Sequence, residues 1–215
     1  MLQPLELVIF DCDGVLVDTE RLAVGIDVDI AAELGWPLTA TEVVDLFMGK
    51  SNESVRAILE ERLGTERADL WQTRYHQRFE EGLAGLEPVD GIVEALDALE
   101  LPACVASSGS HEKMRKTLGL TGLYERFDGR IYSATEVTHG KPAPDLFLHA
   151  AERMGVDPAA CAVVEDSQYG VQGARAAGMR VFGYSGGLSP AAWLEGAGAV
   201  VFDDMRKLPA LLADS

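Results

Sequence analysis

Short apolar runs alternate along the chain with stretches in which apolar residues recur every three or four positions. The run Leu5-Glu6-Leu7-Val8-Ile9-Phe10 stops abruptly at Asp11-Cys12-Asp13-Gly14, the pattern of a buried strand meeting a polar turn. Similar runs follow at Ala103-Cys104-Val105-Ala106, Ala162-Val163-Val164, Arg180-Val181-Phe182-Gly183 and Ala199-Val200-Val201-Phe202. Helical patterns lie between most of them, as at Ile92, Leu96 and Leu99 and at Leu146, Ala150 and Met154. This alternation predicts a parallel sheet covered by helices. Gly119, Gly155 and Gly178 fall just after the last periodic residue, where a left-handed helix end is expected.

Between the first and second strands the periodicity is helical throughout. It breaks only near Gly35-Trp36-Pro37, Gly49-Lys50-Ser51 and Gly64-Thr65. The segment reads as an all-helical insert. An insertion after the first strand of an α/β sheet stands over the carboxyl ends of the strands, where ligands bind in open sheets, so it suits a lid.

Composition narrows the picture. The 215 residues, 47% of them hydrophobic, suffice for one full core and a smaller second unit. A net charge of −17 repels nucleic acid and anionic lipid, so neither is an expected partner. Acidity does not exclude an anionic substrate, because a bound cation and a few local donors invert the potential inside a cleft. Met1 to Glu6 carries no basic stretch, and no apolar run approaches the ~18 residues of a spanning helix, so a soluble cytoplasmic protein is expected. Cys12, Cys104 and Cys161 are odd in number, widely spaced and beside apolar runs, which favours free thiols. Apolar periodicity does not report oligomeric state; a monomer is the favoured expectation.

Four places carry candidate chemistry. Asp11 and Asp13, two apart in extended chain, point to one face. Two carboxylates about 4 Å apart repel by roughly 4 kcal/mol at an effective dielectric of ~20, which invites a cation or a shared proton. A solvated turn is the plainer alternative. A calcium loop is not, since its glycine belongs at the sixth position and here it comes at the fourth. Glu165-Asp166 forms a second acidic pair after a strand-like run, and four acids on one sheet edge would suit a hard ion such as Mg²⁺. Two acids at a helix start, favoured by its dipole, are the plainer alternative for this pair. Ser107-Ser108-Gly109-Ser110 offers hydroxyls and backbone N–H groups to a phosphate, or only a helix cap. Lys141 lies in the stiff segment Gly140-Lys141-Pro142-Ala143-Pro144, where a held ammonium suits a fixed anion and an exposed turn lysine is the alternative.

Taken together, these residues resemble a known family. Asp11-Cys12-Asp13-Gly14-Val15-Leu16-Val17-Asp18-Thr19 resembles the first motif of haloacid dehalogenase-like phosphatases, in the branch that also contains β-phosphoglucomutases. Ser107 matches the second motif and Lys141 the third. Glu165-Asp166-Ser167, with Gly170, Gly173, Ala176 and Gly178, matches the fourth. The resemblance spans almost the whole chain. It implies a doubly wound, Rossmann-like core over residues 1–17 and 88–215, with a helical cap over 18–87.

The resemblance further implies Asp11 as nucleophile and Asp13 as general acid and base. Ser107, Ser108 and Lys141 would hold the phosphoryl group. Asp11, Asp166 and the main-chain carbonyl of Asp13 would ligate Mg²⁺, with Glu165 beside them or in the outer shell. Lys50, Ser51 and Asn52, in the cap loop, are candidates for reaching the leaving group. The expected activity is Mg²⁺-dependent hydrolysis of a small phosphorylated metabolite, a sugar phosphate by resemblance, through an aspartyl-phosphate. β-Phosphoglucomutase-type transfer is the first alternative. The mutases carry a histidine where this chain has Ala23 and an arginine where it has Asn52, and both departures count against it. Asp13 argues against a dehalogenase, whose members lack an acid there. A non-catalytic sugar-phosphate-binding protein is the remaining alternative.

Overall fold

The structure is a computed structural model that describes residues 3–48, 50 and 52–215 and, for Asn52, the backbone alone. The chain divides into two compact units, Met1–Asp18 with Glu87–Ser215, and Thr19–Leu86.

The first unit opens with β1 (Leu7–Phe10). The second then carries α1 (Thr19–Glu33), α2 (Ala40–Phe47), α3 (Asn52–Leu63) and α4 (Thr65–Gly82). On return to the first unit come α5 (Ile92–Ala98), β2 (Ala103–Ser107), α6 (His111–Leu120), β3 (Ile131–Ser133) and α7 (Asp145–Met154). β4 (Cys161–Glu165), α8 (Gln168–Ala176), β5 (Arg180–Tyr184), α9 (Ala191–Ala197), β6 (Val200–Phe202) and α10 (Leu208–Ala213) complete it.

Among the described residues the six strands form one parallel sheet in the order β3-β2-β1-β4-β5-β6. Every residue of β1, β2 and β4 is buried, as strands covered on both faces require. From β1 the chain builds outward through β2 and β3, then crosses to β4 on the other side of β1. That reversal makes a crevice beyond the carboxyl ends of β1 and β4, the usual ligand position in doubly wound sheets. Phe10 is level with Val105 on β2 and Val164 on β4, so the residues that follow all three strands emerge on one edge.

The apolar runs mark five of these strands, and β3 is the one they miss. Its three residues, Ile131-Tyr132-Ser133, are too few to show a period, and it is recruited by pairing with Val105, Ala106 and Ser107. Ser107 and Glu165 are the last residues of strands rather than members of the turns that follow. Gly155 and Gly178 have the expected left-handed backbone, with φ of 69° and 77°. Gly119 does not: α6 continues through it to Leu120, and Gly122 takes the left-handed conformation at φ 72°.

In the helical unit, Thr39 and Glu42 form a reciprocal cap at the start of α2. Gly35 and Gly64, at two of the expected breaks, are left-handed at φ 79° and 81°. The core is built on Ile30, Val43, Phe47, Leu59, Ala68 and Trp71, with the rings of Trp36, Phe47 and Trp71 in mutual contact. No described helix is long and apolar enough to cross a membrane.

Candidate active site

Beyond β1 the chain reverses at once. The Cys12 carbonyl accepts from the N–H groups of Leu16 and Val17, and Gly14 turns at φ 77° with its N–H on the Val17 carbonyl. A side chain at Gly14 would oppose that backbone conformation, so glycine is needed there. Cys12 turns into the core, which leaves Asp11 and Asp13 together on the other side.

The centre of the site is Lys141. Its Nζ lies 2.6 Å from Asp11 Oδ1 and 2.6 Å from Glu165 Oε1, and the three side chains are 6%, 11% and 0% exposed. Glu165 is satisfied on its other oxygen as well: Oε2 accepts from Ser167 N at 2.7 Å and Ser167 Oγ at 2.8 Å. Ser167 also caps α8 by accepting from Gly170 N at 3.0 Å. Gly170 must be bare, since a Cβ there would stand 1.7 Å from Glu165 Oε1.

Asp11, Glu165 and the buried Asp166 each offer an oxygen within 4.8 Å of the others. Burial pushes the Asp11 carboxyl up to about 7; Lys141 pulls it down and Glu165 adds to the rise. For Lys141 burial acts downward, yet Asp11 and Glu165 outweigh it and hold the ammonium above the ordinary lysine value.

The Asp13 carboxylate is not part of the three-acid group. Its Oδ2 lies 2.7 Å from Lys113 Nζ. Ser107 is buried and its Oγ accepts from Gly109 N at 3.1 Å; Ser108 is exposed. A Cβ on Gly109 would meet Lys113 Cδ at 3.3 Å, Ser107 Oγ at 3.5 Å and Asp13 Oδ2 at 3.9 Å, so these groups converge. Lys50 is exposed and donates to the Leu46 carbonyl. Ser51 and the side chain of Asn52 lie outside the described residues.

Sequence reasoning missed Lys113. The signal was present: Lys113 stands in the first turn of α6, where the helix dipole disfavours a cation. A lysine there needs an acidic partner, and Asp13 is that partner.

The model of the haloacid dehalogenase-like hydrolases matches residues 5–178. A 6-phosphogluconate phosphatase of Escherichia coli is 32% identical over 183 residues, covering 83% of this chain and 81% of that protein. A conserved haloacid dehalogenase-like protein of unknown function from Agrobacterium tumefaciens shares the structure at a TM-score of 0.90 and 36% identity, with 98% of both chains covered. A HAD family hydrolase from Deinococcus radiodurans, solved with bound phosphate and sodium, follows at 0.84 and 31%, covering 98% of this chain and 96% of that one. With most of its residues matched by the family's model and a phosphatase among its relatives, the chain belongs to the haloacid dehalogenase-like hydrolases, as one of their phosphatases.

Proposed function

We propose that the protein hydrolyses a small phosphorylated metabolite, of the sugar-phosphate class, through a phosphoaspartate on Asp11. The observation that carries this reading is the buried Asp11 carboxylate, gripped through Oδ1 by Lys141 and grouped with Glu165 and Asp166. The sugar-phosphate class is supported by the Escherichia coli relative named for 6-phosphogluconate.

The residues present fit Mg²⁺. The donors of the three-acid group are all oxygen, as a hard ion prefers. The three carboxyl groups of Asp11, Glu165 and Asp166 meet the single ammonium of Lys141, an imbalance that one divalent ion offsets. The raised Asp11 carboxyl has the same meaning: its burial is not fully compensated by Lys141. Asp11 and Asp166 would hold the ion, with the Asp13 carbonyl; Glu165, engaged by Lys141 and Ser167, would stand outside. Bound there, Mg²⁺ supplies positive charge to the phosphoryl oxygens.

The chain's own residues do the rest. Asp11 forms a bond to phosphorus as the bond to the leaving oxygen breaks, and Asp13 gives that oxygen a proton. Water then attacks the phosphorus while Asp13 takes its proton, the bond to Asp11 breaks, and free phosphate leaves. Lys141, Ser107 and the N–H groups of the loop to Ser110 hold the phosphoryl oxygens throughout, where charge is spread during transfer. Ser108, exposed, contributes through its backbone. Lys50, exposed in the helical unit, is the candidate for reaching the leaving group.

The test is release of inorganic phosphate from a panel of sugar and polyol phosphates, with and without Mg²⁺, for wild type and Asp11→Asn. Metal-dependent release that disappears in the variant is expected. Phosphoryl transfer within a hexose 1-phosphate, with no release from any compound, would replace this reading with the mutase.

A further inference from the structure

Behind the loop from Ser107 to Ser110, β3 ends in a polar cluster that the proposed chemistry does not use. Ser133 has no exposed surface. Its Oγ donates to the Gly109 carbonyl at 2.7 Å and accepts from Thr135 N at 3.1 Å and Thr135 Oγ1 at 2.9 Å. One hydroxyl hydrogen and two lone pairs are thereby all engaged, so the hydroxyl has one orientation. The Ser133 N–H donates to Glu136 Oε1 at 2.7 Å. Glu136 also accepts from His111 Nε2 at 2.7 Å and from His149 Nε2 at 3.2 Å, in the tautomers that make both imidazoles donors.

These contacts reach both phosphate-holding segments. Gly109 and His111 flank Ser110, the residue that caps α6. On the other side, the Ala134 Cβ packs 3.9 Å from where a Cβ on Gly140 would stand, beside Lys141, and His149 rides on α7, the next helix.

We propose that Ser133 and Glu136 form a truss that positions the phosphate loop against the segment carrying Lys141. The proposal rests on the reading of Ser107 to Ser110 as a phosphate site. The physical link is the peptide plane: in a trans peptide the Gly109 carbonyl and the Ser110 N–H point in opposite directions. Gripping that carbonyl from behind therefore fixes where the next N–H points. An anion site made of backbone donors binds well only if those donors are oriented in advance. Ser133 and Glu136 are positioning residues, acting through Gly109 and His111.

Because loop donors meet the phosphoryl group before and during transfer, loosening them weakens binding without selectively slowing the chemistry. Ser133→Ala is expected to raise the KM for a sugar phosphate and the inhibition constant of inorganic phosphate together, about 5- to 10-fold, the scale of one buried hydrogen bond. Its kcat stays within about two-fold by the same argument. His111→Ala, at a more exposed strut, moves both constants the same way by about two-fold, and His111→Gln, which keeps an N–H donor, restores them. Phosphate inhibition unchanged in Ser133→Ala and His111→Ala, while Ser107→Ala weakens it, would overturn the truss and leave the loop reading standing. Inhibition unchanged in Ser107→Ala would remove the loop reading and the truss with it.

Discussion

Each unit holds a cluster in which one cation meets two carboxylates, and the two clusters differ in burial rather than distance. In the α/β unit Lys141 lies 2.6 Å from both Asp11 and Glu165, with at most 11% of any of the three side chains exposed. In the helical unit Arg56 lies 2.6 Å from Asp69 and 2.7 Å from Glu60, with exposures of 23%, 64% and 41%. Water screens the second cluster, and such surface pairs contribute little to stability. In the first, desolvation outweighs the pairing and lifts Asp11 to about 7. Equal contact distances therefore carry opposite meanings: the exposed cluster is surface, and the buried one holds its charges at a cost that stability alone does not explain.

The largest effect is expected from breaking the buried cluster. Lys141→Met leaves Asp11 and Glu165 facing each other inside the protein, and unfolding by urea should show a loss of about 3 kcal/mol, with phosphatase activity down at least ~10²-fold. Gly170→Ala comes next, because its Cβ needs the space of the Glu165 carboxylate. A loss of about 1–3 kcal/mol is expected from that overpacking. Gly119→Ala is the matched control: nothing lies within 4 Å of its Cβ and it stands inside α6. It should stabilise by about 0.5–1 kcal/mol.

Asp27 tests burial within the helical unit. Burial raises its carboxyl to about 7, against the pull of the Trp71 indole N–H, which donates at 3.0 Å. The folded state therefore binds more protons than the unfolded state between the ordinary value of 3.8 and about 7. Stability is lost as pH rises through that window and stays low above it. Asp27→Asn keeps an acceptor for Trp71 and cannot ionise, so it should raise Tm at pH 8 and leave it unchanged near pH 4. The smallest effect belongs to the exposed cluster: Asp69→Asn should leave both Tm and activity within experimental scatter, and a clear fall in either would erase the contrast between the clusters.

The sequence already carried much of this. β1, β2 and β4 are buried along their whole length and β5 in all but Arg180, so they appear as short apolar runs, and Asp11 and Asp13 stand where the first run stops. What stayed hidden has a common physical cause. β3 exists through its pairing with β2, Lys113 acquires meaning only beside Asp13, and the bare position at Gly170 matters only because Glu165 fills it. Each depends on a neighbour remote in the chain or on a carboxylate folded back beneath a helix. Gly119 shows the reverse error: a glycine at a plausible helix end is an ordinary helical residue, because the chain continues to Leu120 and turns at Gly122.

The most direct test of the central claim is to look for phosphate on Asp11. Asp13→Asn, in which activation of the second-step water is lost, is mixed with p-nitrophenyl phosphate, whose leaving group needs no proton, then quenched in acid and mapped by mass spectrometry. A single phosphoryl group on the peptide containing Asp11, absent when Asp11→Asn is added, is the predicted result. Turnover with no phosphorylated peptide at any quench time, or with the phosphoryl group on another residue, would contradict it.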